Sequence, residues 1–139
     1  MSLIVKEADE TISTNAVLQN DDALLFAIAA NAVYQFEGVI FIESGVTPDF
    51  QFTFVGPAGA VGSFAADVFT TSIAYFANVE LATAIAVASA GTRQTIRFWG
   101  GIKNAGTAGN VTLQWAQGTS DAGNTTVHAG SYIKYQLES

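Results

Sequence analysis

Few side chains in this sequence have the chemistry for catalysis or ligand capture, and their spacing decides what each can do. His128 is the only histidine. A Ser–His–Asp site would need Ser131 or another serine, together with Asp121, to converge on its ring. The segment lacks a nucleophile elbow, and a lone histidine among turn residues reads as an exposed side chain at a strand edge. A zinc site would need three oxygen ligands beside it. Asp21-Asp22 is an acidic pair, but calcium takes several oxygens at regular loop spacing, and nothing here matches Asp-x-Asp-x-Asp-Gly. Acidic residues just ahead of Leu24 and Phe26 read instead as a turn opening a strand. Gly59 to Gly62 lacks the lysine and the helix of a phosphate loop and reads as a plain loop. The absence of cysteine excludes disulfides, thiol catalysis and cysteine-held metals. The expectation is no catalytic residue, no metal and no cofactor.

What remains is surface. Trp99 falls on the same strand face as Arg97 and Lys103, opposite Ile96, Phe98 and Ile102. Three readings stay open for it: an exposed interface anchor, a ring covered by a loop, or a sugar-stacking platform. Trp115 follows the inward pattern of Val111 and Leu113 and is expected in the core. An apolar start, Leu3-Ile4-Val5, precedes the acidic Glu7, Asp9 and Glu10. The candidate interface therefore comprises Leu3, Ile4, Val5, Arg97, Trp99, Lys103 and Tyr132. A glycan platform would draw on Trp99, Tyr132 and Tyr34.

The elements that must carry these residues have a period of two. Phe50, Phe52 and Phe54 alternate with Gln51, Thr53 and Val55. Similar alternation runs through 24–28, 34–43, 96–103, 111–115 and 133–138. One wet and one dry face marks antiparallel sheets. Turn signals separate the runs: Gly45 to Pro48, Gly56-Pro57-Ala58-Gly59, Gly118 to Asn124 and Ala129-Gly130-Ser131. Asn104 to Asn110 has the composition of a hairpin loop. The alanine-rich Ala82–Ala90 reads as a strand because Ile85 and Val87 alternate within it. Residues 63–77 hold a strand or a short helical turn. The pattern predicts an all-β antiparallel sandwich or barrel of about eight strands. Residues 1–18 form an amino-terminal arm or first strand, and residues 19–139 one sandwich domain.

Composition bounds the partners. The 139 residues are 50% hydrophobic and only 12% charged, with a net charge of −7. Direct binding to nucleic acid or to an anionic membrane surface is not expected of such a chain. Its start has no basic segment leading into an apolar one, and no cleaved export signal is expected. The charge is uneven. Lys6 is the only base up to residue 92, whereas Arg93, Arg97, Lys103 and Lys134 face only Asp121 and Glu138 after it. That carboxy-terminal third is the better candidate for meeting an acidic partner. So little charge on so small a chain favours further burial between subunits.

A resemblance adds to this reading. The run Trp115-Ala116-Gln117-Gly118-Thr119-Ser120, then Asn124-Thr125-Thr126-Val127 and Gly130-Ser131-Tyr132, resembles the ending of small β domains in virion proteins of tailed bacteriophages. Leu18-Gln19-Asn20-Asp21 leading to Leu24 and Phe26, then Tyr34-Gln35-Phe36, is similar to the start of those domains. The likeness spans residues 14–138, and its motifs are structural, not catalytic. It implies a jelly-roll-like, non-enzymatic protein of the virion, assembled in the host cytoplasm. Within that class it implies a homotrimeric head decoration protein bound to the major capsid protein or another virion protein. The alternative is a tail-fibre or receptor- and carbohydrate-binding module on the same fold.

Overall fold

A computed structural model describes residues 1–69 and 73–138. Among them it has twelve strands and no helix. The strands are β1 (Ser2–Val5), β2 (Glu10–Ile12), β3 (Gln19–Ile28), β4 (Val33–Ser44), β5 (Phe50–Val55) and β6 (Val61–Phe69). They continue as β7 (Ile73–Glu80), β8 (Ile85–Val87), β9 (Arg93–Lys103), β10 (Gly109–Ala116), β11 (Thr125–Val127) and β12 (Tyr132–Leu137).

The pairing of the eight central strands is nested. β6 pairs with β7, β5 with β8, β4 with β9 and β3 with β10, all antiparallel. The chain is thus one long hairpin, rolled so that successive pairs alternate between two sheets. One sheet runs β3-β10-β5-β8, and β4-β9-β6-β7 lie together in the other. This is the jelly-roll arrangement of a β-sandwich. The second sheet is widened to eight strands: β12 lies beside β4, β1 beside β12, and β11 and β2 extend it past the far end of β4.

The alternation in the sequence explains the packing. Phe50, Phe52 and Phe54 are all sealed from solvent, as are Ile40, Ile42, Ile96, Phe98, Val111 and Leu113. Phe54 sits at the centre, 4.8 Å from the Phe98 ring, 5.0 Å from Phe36 and edge-on to Phe64 at 5.1 Å. Each such pair adds about 0.5–1.5 kcal/mol beyond the area it buries. Gly38 and Gly100 make room for these rings. A Cβ on Gly100 would lie 2.8 Å from Phe36 and 2.6 Å from the Ser63 carbonyl oxygen.

The structure corrects several expectations. The strands number twelve because β2 and β11 have only three residues each, too few to show a period, the amino-terminal arm contains β1, and the region 63–77 belongs to two strands, β6 and β7. In Ala82–Ala90 only Ile85–Val87 is strand; Ala82, at φ 68°, belongs to the turn before it. Residues 63–69 and 73–77 lie in β6 and β7, with no helical turn in them; residues 70–72 lie outside the described residues. Asn104 to Asn110 is not a hairpin loop, since β9 and β10 belong to different sheets. It is a crossing between layers, pinned by the buried Asn104 amide, whose nitrogen donates to the carbonyls of Ala29 and Thr107.

Candidate functional site

The outer face of the eight-stranded sheet collects side chains from six strands. One row across it reads Val5, Tyr132, Val39, Arg97, Asp67 and Tyr75, from β1, β12, β4, β9, β6 and β7 in turn. The adjacent row reads Leu3, Lys134, Glu37, Trp99 and Ala65. The residues between them in sequence, such as Ile133, Phe98 and Ala66, are buried, so the pleat turns both rows outward. Leu3, Val5, Tyr75 and Trp99 are exposed, Trp99 by 39%. The outer face of the other sheet carries Gln51, Thr53, Asn110, Thr112 and Gln114.

Six of the seven candidate interface residues fall on the larger sheet's outer face. Leu3, Val5, Tyr132, Arg97 and Trp99 lie in the two adjacent rows, and Lys103 lies at the end of β9, paired across to Val33 and Val61. Ile4 is the exception. Alternation turns it inward, where it packs against the core. Trp99 is not covered by a loop, but the Arg97 guanidinium stands 4.7 Å over its ring. Arg97 also reaches Asp67 at 3.7 Å, a long contact with an exposed guanidinium that is worth little by itself. Lys134 lies 5.8 Å from the Tyr132 ring. A recess of about 220 Å³ opens between Glu37, Val39, Arg97, Trp99, Tyr132 and Lys134. Every basic residue except Lys6 is on this face, yet Glu37, Glu43 and Asp67 are interspersed. The face is mixed in sign and is not a basic patch.

Tyr34 does not belong to an aromatic platform. It points into the core, and its hydroxyl accepts from the Ala29 amide at 3.2 Å. Trp115 is fully buried, as its pattern required.

A buried lysine holds β1 in place. Lys6, only 1% exposed, sends its ammonium to Asp21 at 2.9 Å, to Glu10 at 2.9 Å and to Asp22. Its backbone bonds Ser131 and Gly130 as well. Asp21 also accepts from the Trp115 indole at 2.9 Å and from the amides of Ala23 and Leu24. The expected turn ahead of the strand is not what forms: Asp21 and Asp22 lie inside β3, where its register against β10 shifts, and the Asp21 carboxylate accepts from the amides that follow it. Glu10, Asp21 and Asp22 converge closely enough to suggest a cation site, and the Lys6 ammonium is the cation they hold. Burial opposes the charge on Lys6, but its bonds to Asp22, Glu10 and Asp21 outweigh it and raise its pKa above 10.5. The Lys6 bond holds the Asp22 carboxyl below its ordinary value. Burial pushes Glu10 up despite the same partner.

His128 is not an exposed edge residue. It is 8% exposed, because it fills the break between β11 and β12 against β4. Its Nε2 lies 3.0 Å from Glu43 and its Nδ1 3.3 Å from Asp9. The Ser131 hydroxyl donates to the His128 carbonyl, not to the ring, and accepts from the Phe41 amide. This serine spans a strand break and is not poised as a nucleophile.

No protein-family model and no curated protein sequence matches this chain, so neither adds support to the resemblance to tailed-phage virion proteins. Solved structures that align with it include two of infectious bursal disease virus. One, of the Gt strain of infectious bursal disease virus, is 12% identical over 99% of this chain, with a TM-score of 0.24. The other, of the Gx strain, is 11% identical over 96%, with a TM-score of 0.21. This chain spans 37% and 40% of the length of those chains. The jelly-roll assignment stands on the strand pairing itself, and no family membership is assigned.

Proposed function

We propose that this chain is a non-enzymatic structural protein of a virion, a capsid decoration protein acting as a homotrimer. One observation carries the reading: Leu3, Val5, Trp99 and Tyr75 stand exposed together on the outer face of the larger sheet. A tryptophan and arginine stacked at the centre of such a face have the chemistry of an interface anchor. The jelly roll serves viral capsid proteins, among others, and the phage-like motifs of residues 14–138 point the same way. The partners would be other copies of the chain and the major capsid protein or another virion protein. Three rigidly joined copies of a modest contact would dissociate slowly through effective concentration. The amino-terminal strand fits this scheme in one of two ways. It stays on its own β12, or it is exchanged for the same strand of a neighbour.

Mass spectrometry of gradient-purified virions from the encoding virus tests the location, with the chain expected at capsid stoichiometry. Its absence from the particle would overturn the proposal. Sedimentation velocity at micromolar concentration tests the trimer, and a monomer would remove it. A tail-fibre or glycan-binding module is the second reading, favoured by the recess beside Trp99. Arg97 already occupies one face of that ring, and a glycan array with no hits would dispose of sugar binding.

A further inference from the structure

The environment of His128 is built around two carboxylates from different parts of the chain. Glu43 comes from β4, and Asp9 from the link between β1 and β2. The histidine backbone is fixed, with its amide on the Phe41 carbonyl at 2.8 Å and its carbonyl accepting from Ser131. Nδ1 is shut off from solvent and has no aligned hydrogen-bond partner, although Asp9 Oδ2 is 3.3 Å away. A neutral imidazole carries one N–H and must turn a lone pair toward one of these carboxylates. The imidazolium carries two and satisfies both.

We propose that His128 is a proton-operated latch that ties residues 8–12 to the sandwich, closed when the ring is charged and loosened when it is neutral. The other charged groups facing it are few. Arg93, on β9, is paired in register with Glu43. The Ala129 amide donates to Asp9 at 2.7 Å and, with smaller contributions from His128 and Arg93, holds the Asp9 carboxyl below its ordinary value. Lys6 and Glu10 turn away into the Asp21 cluster. β2 is the element at stake, since among the described residues it pairs only with β11, over three residues. Lys6 keeps β1 anchored in either state, so the latch acts on the β1–β2 link and β2 and leaves the core alone. The inference is independent of any virion role.

Amide hydrogen exchange on the intact protein at pH 5.5 and 8 tests it, with rates corrected for intrinsic exchange. Imidazole is the side chain that ordinarily changes charge in this range, and the sequence holds one histidine. Amides of residues 9–12 are expected to be about tenfold more protected at the lower pH, the worth of one charge-assisted hydrogen bond. Core amides of β4 and β9 should show no such step. Equal protection at both pH values would overturn the latch. His128→Gln and Asp9→Asn should each abolish the step; the second removes the charge while keeping an acceptor for Ala129. A step that survives in either variant would overturn the proposal.

Discussion

Lys6 Nζ lies 2.9 Å from Asp21 Oδ1 with both side chains closed to solvent, joining the amino-terminal strand to the edge of the opposite sheet. The ammonium offers three donors and the surrounding carboxylates take all of them. A buried pair of this kind does not demonstrate net stabilisation against an apolar alternative, but removing one partner strands the other.

Lys6→Met is therefore expected to destabilise the fold by about 3 kcal/mol, measured by urea unfolding. Asp21 retains its Trp115 and backbone donors, which keeps the loss at the lower end of the range for broken buried pairs. Adding Asp21→Asn should recover part of it, with a coupling of at least about 1 kcal/mol between the two sites.

The same cluster sets an alkaline limit. The folded pKa of Lys6 is raised, so its contribution is fully present below 10.5 and is lost as pH rises through the higher folded value. Asp22 works at the opposite end. Its lowered pKa gives stability above 3.8 that is lost as pH falls through the folded value. Thermal melts from pH 9 to 12 should show a steeper decline in the wild type than in Lys6→Met. Tyrosine ionisation is common to both and cancels in the difference.

Trp99→Ala separates folding from association. The ring is already partly exposed, and its loss should cost about 1 kcal/mol or less in unfolding experiments. Self-association or capsid binding should weaken by roughly thirtyfold or more, as for an interface anchor. Sedimentation velocity over a concentration series reads the second effect.

Gly100 and Gly101 are neighbours with opposite tolerance. An added Cβ at Gly100 meets Ser63, Phe36 and Phe64 within 2.8 Å, whereas at Gly101 the nearest atom is 3.8 Å away. Gly100→Ala should cost about 1–3 kcal/mol through overpacking. Gly101→Ala should stay within about 0.5 kcal/mol. Chemical denaturation of the two variants distinguishes them.

The strands with a long dry face were legible in the sequence because burial forces alternation. Phe50, Phe52 and Phe54 announce an inward row, and Trp99 announces an outward one. Trp115 was placed in the core by the same rule. Lys6 was not legible, because its acidic partners Asp21 and Asp22 lie fifteen or more residues away and no local pattern marks a buried lysine. His128 was misplaced for a related reason. The turn residues around it suggest exposure, while its burial comes from β4 and the amino-terminal link folding over it. The outer face could be assembled only once the register aligned β1, β12 and β9, since Leu3, Tyr132 and Trp99 are distant in sequence.

The pairing of β1 with β12 sets an order of events during synthesis. Ser2–Val5 leave the ribosome long before their partners, Tyr132–Tyr135, because strands β2 to β11 lie between them in the chain. An uncharged stretch with a ready backbone must wait unmatched while the sandwich between the two strands is made, and β12 is the strand that shelters it.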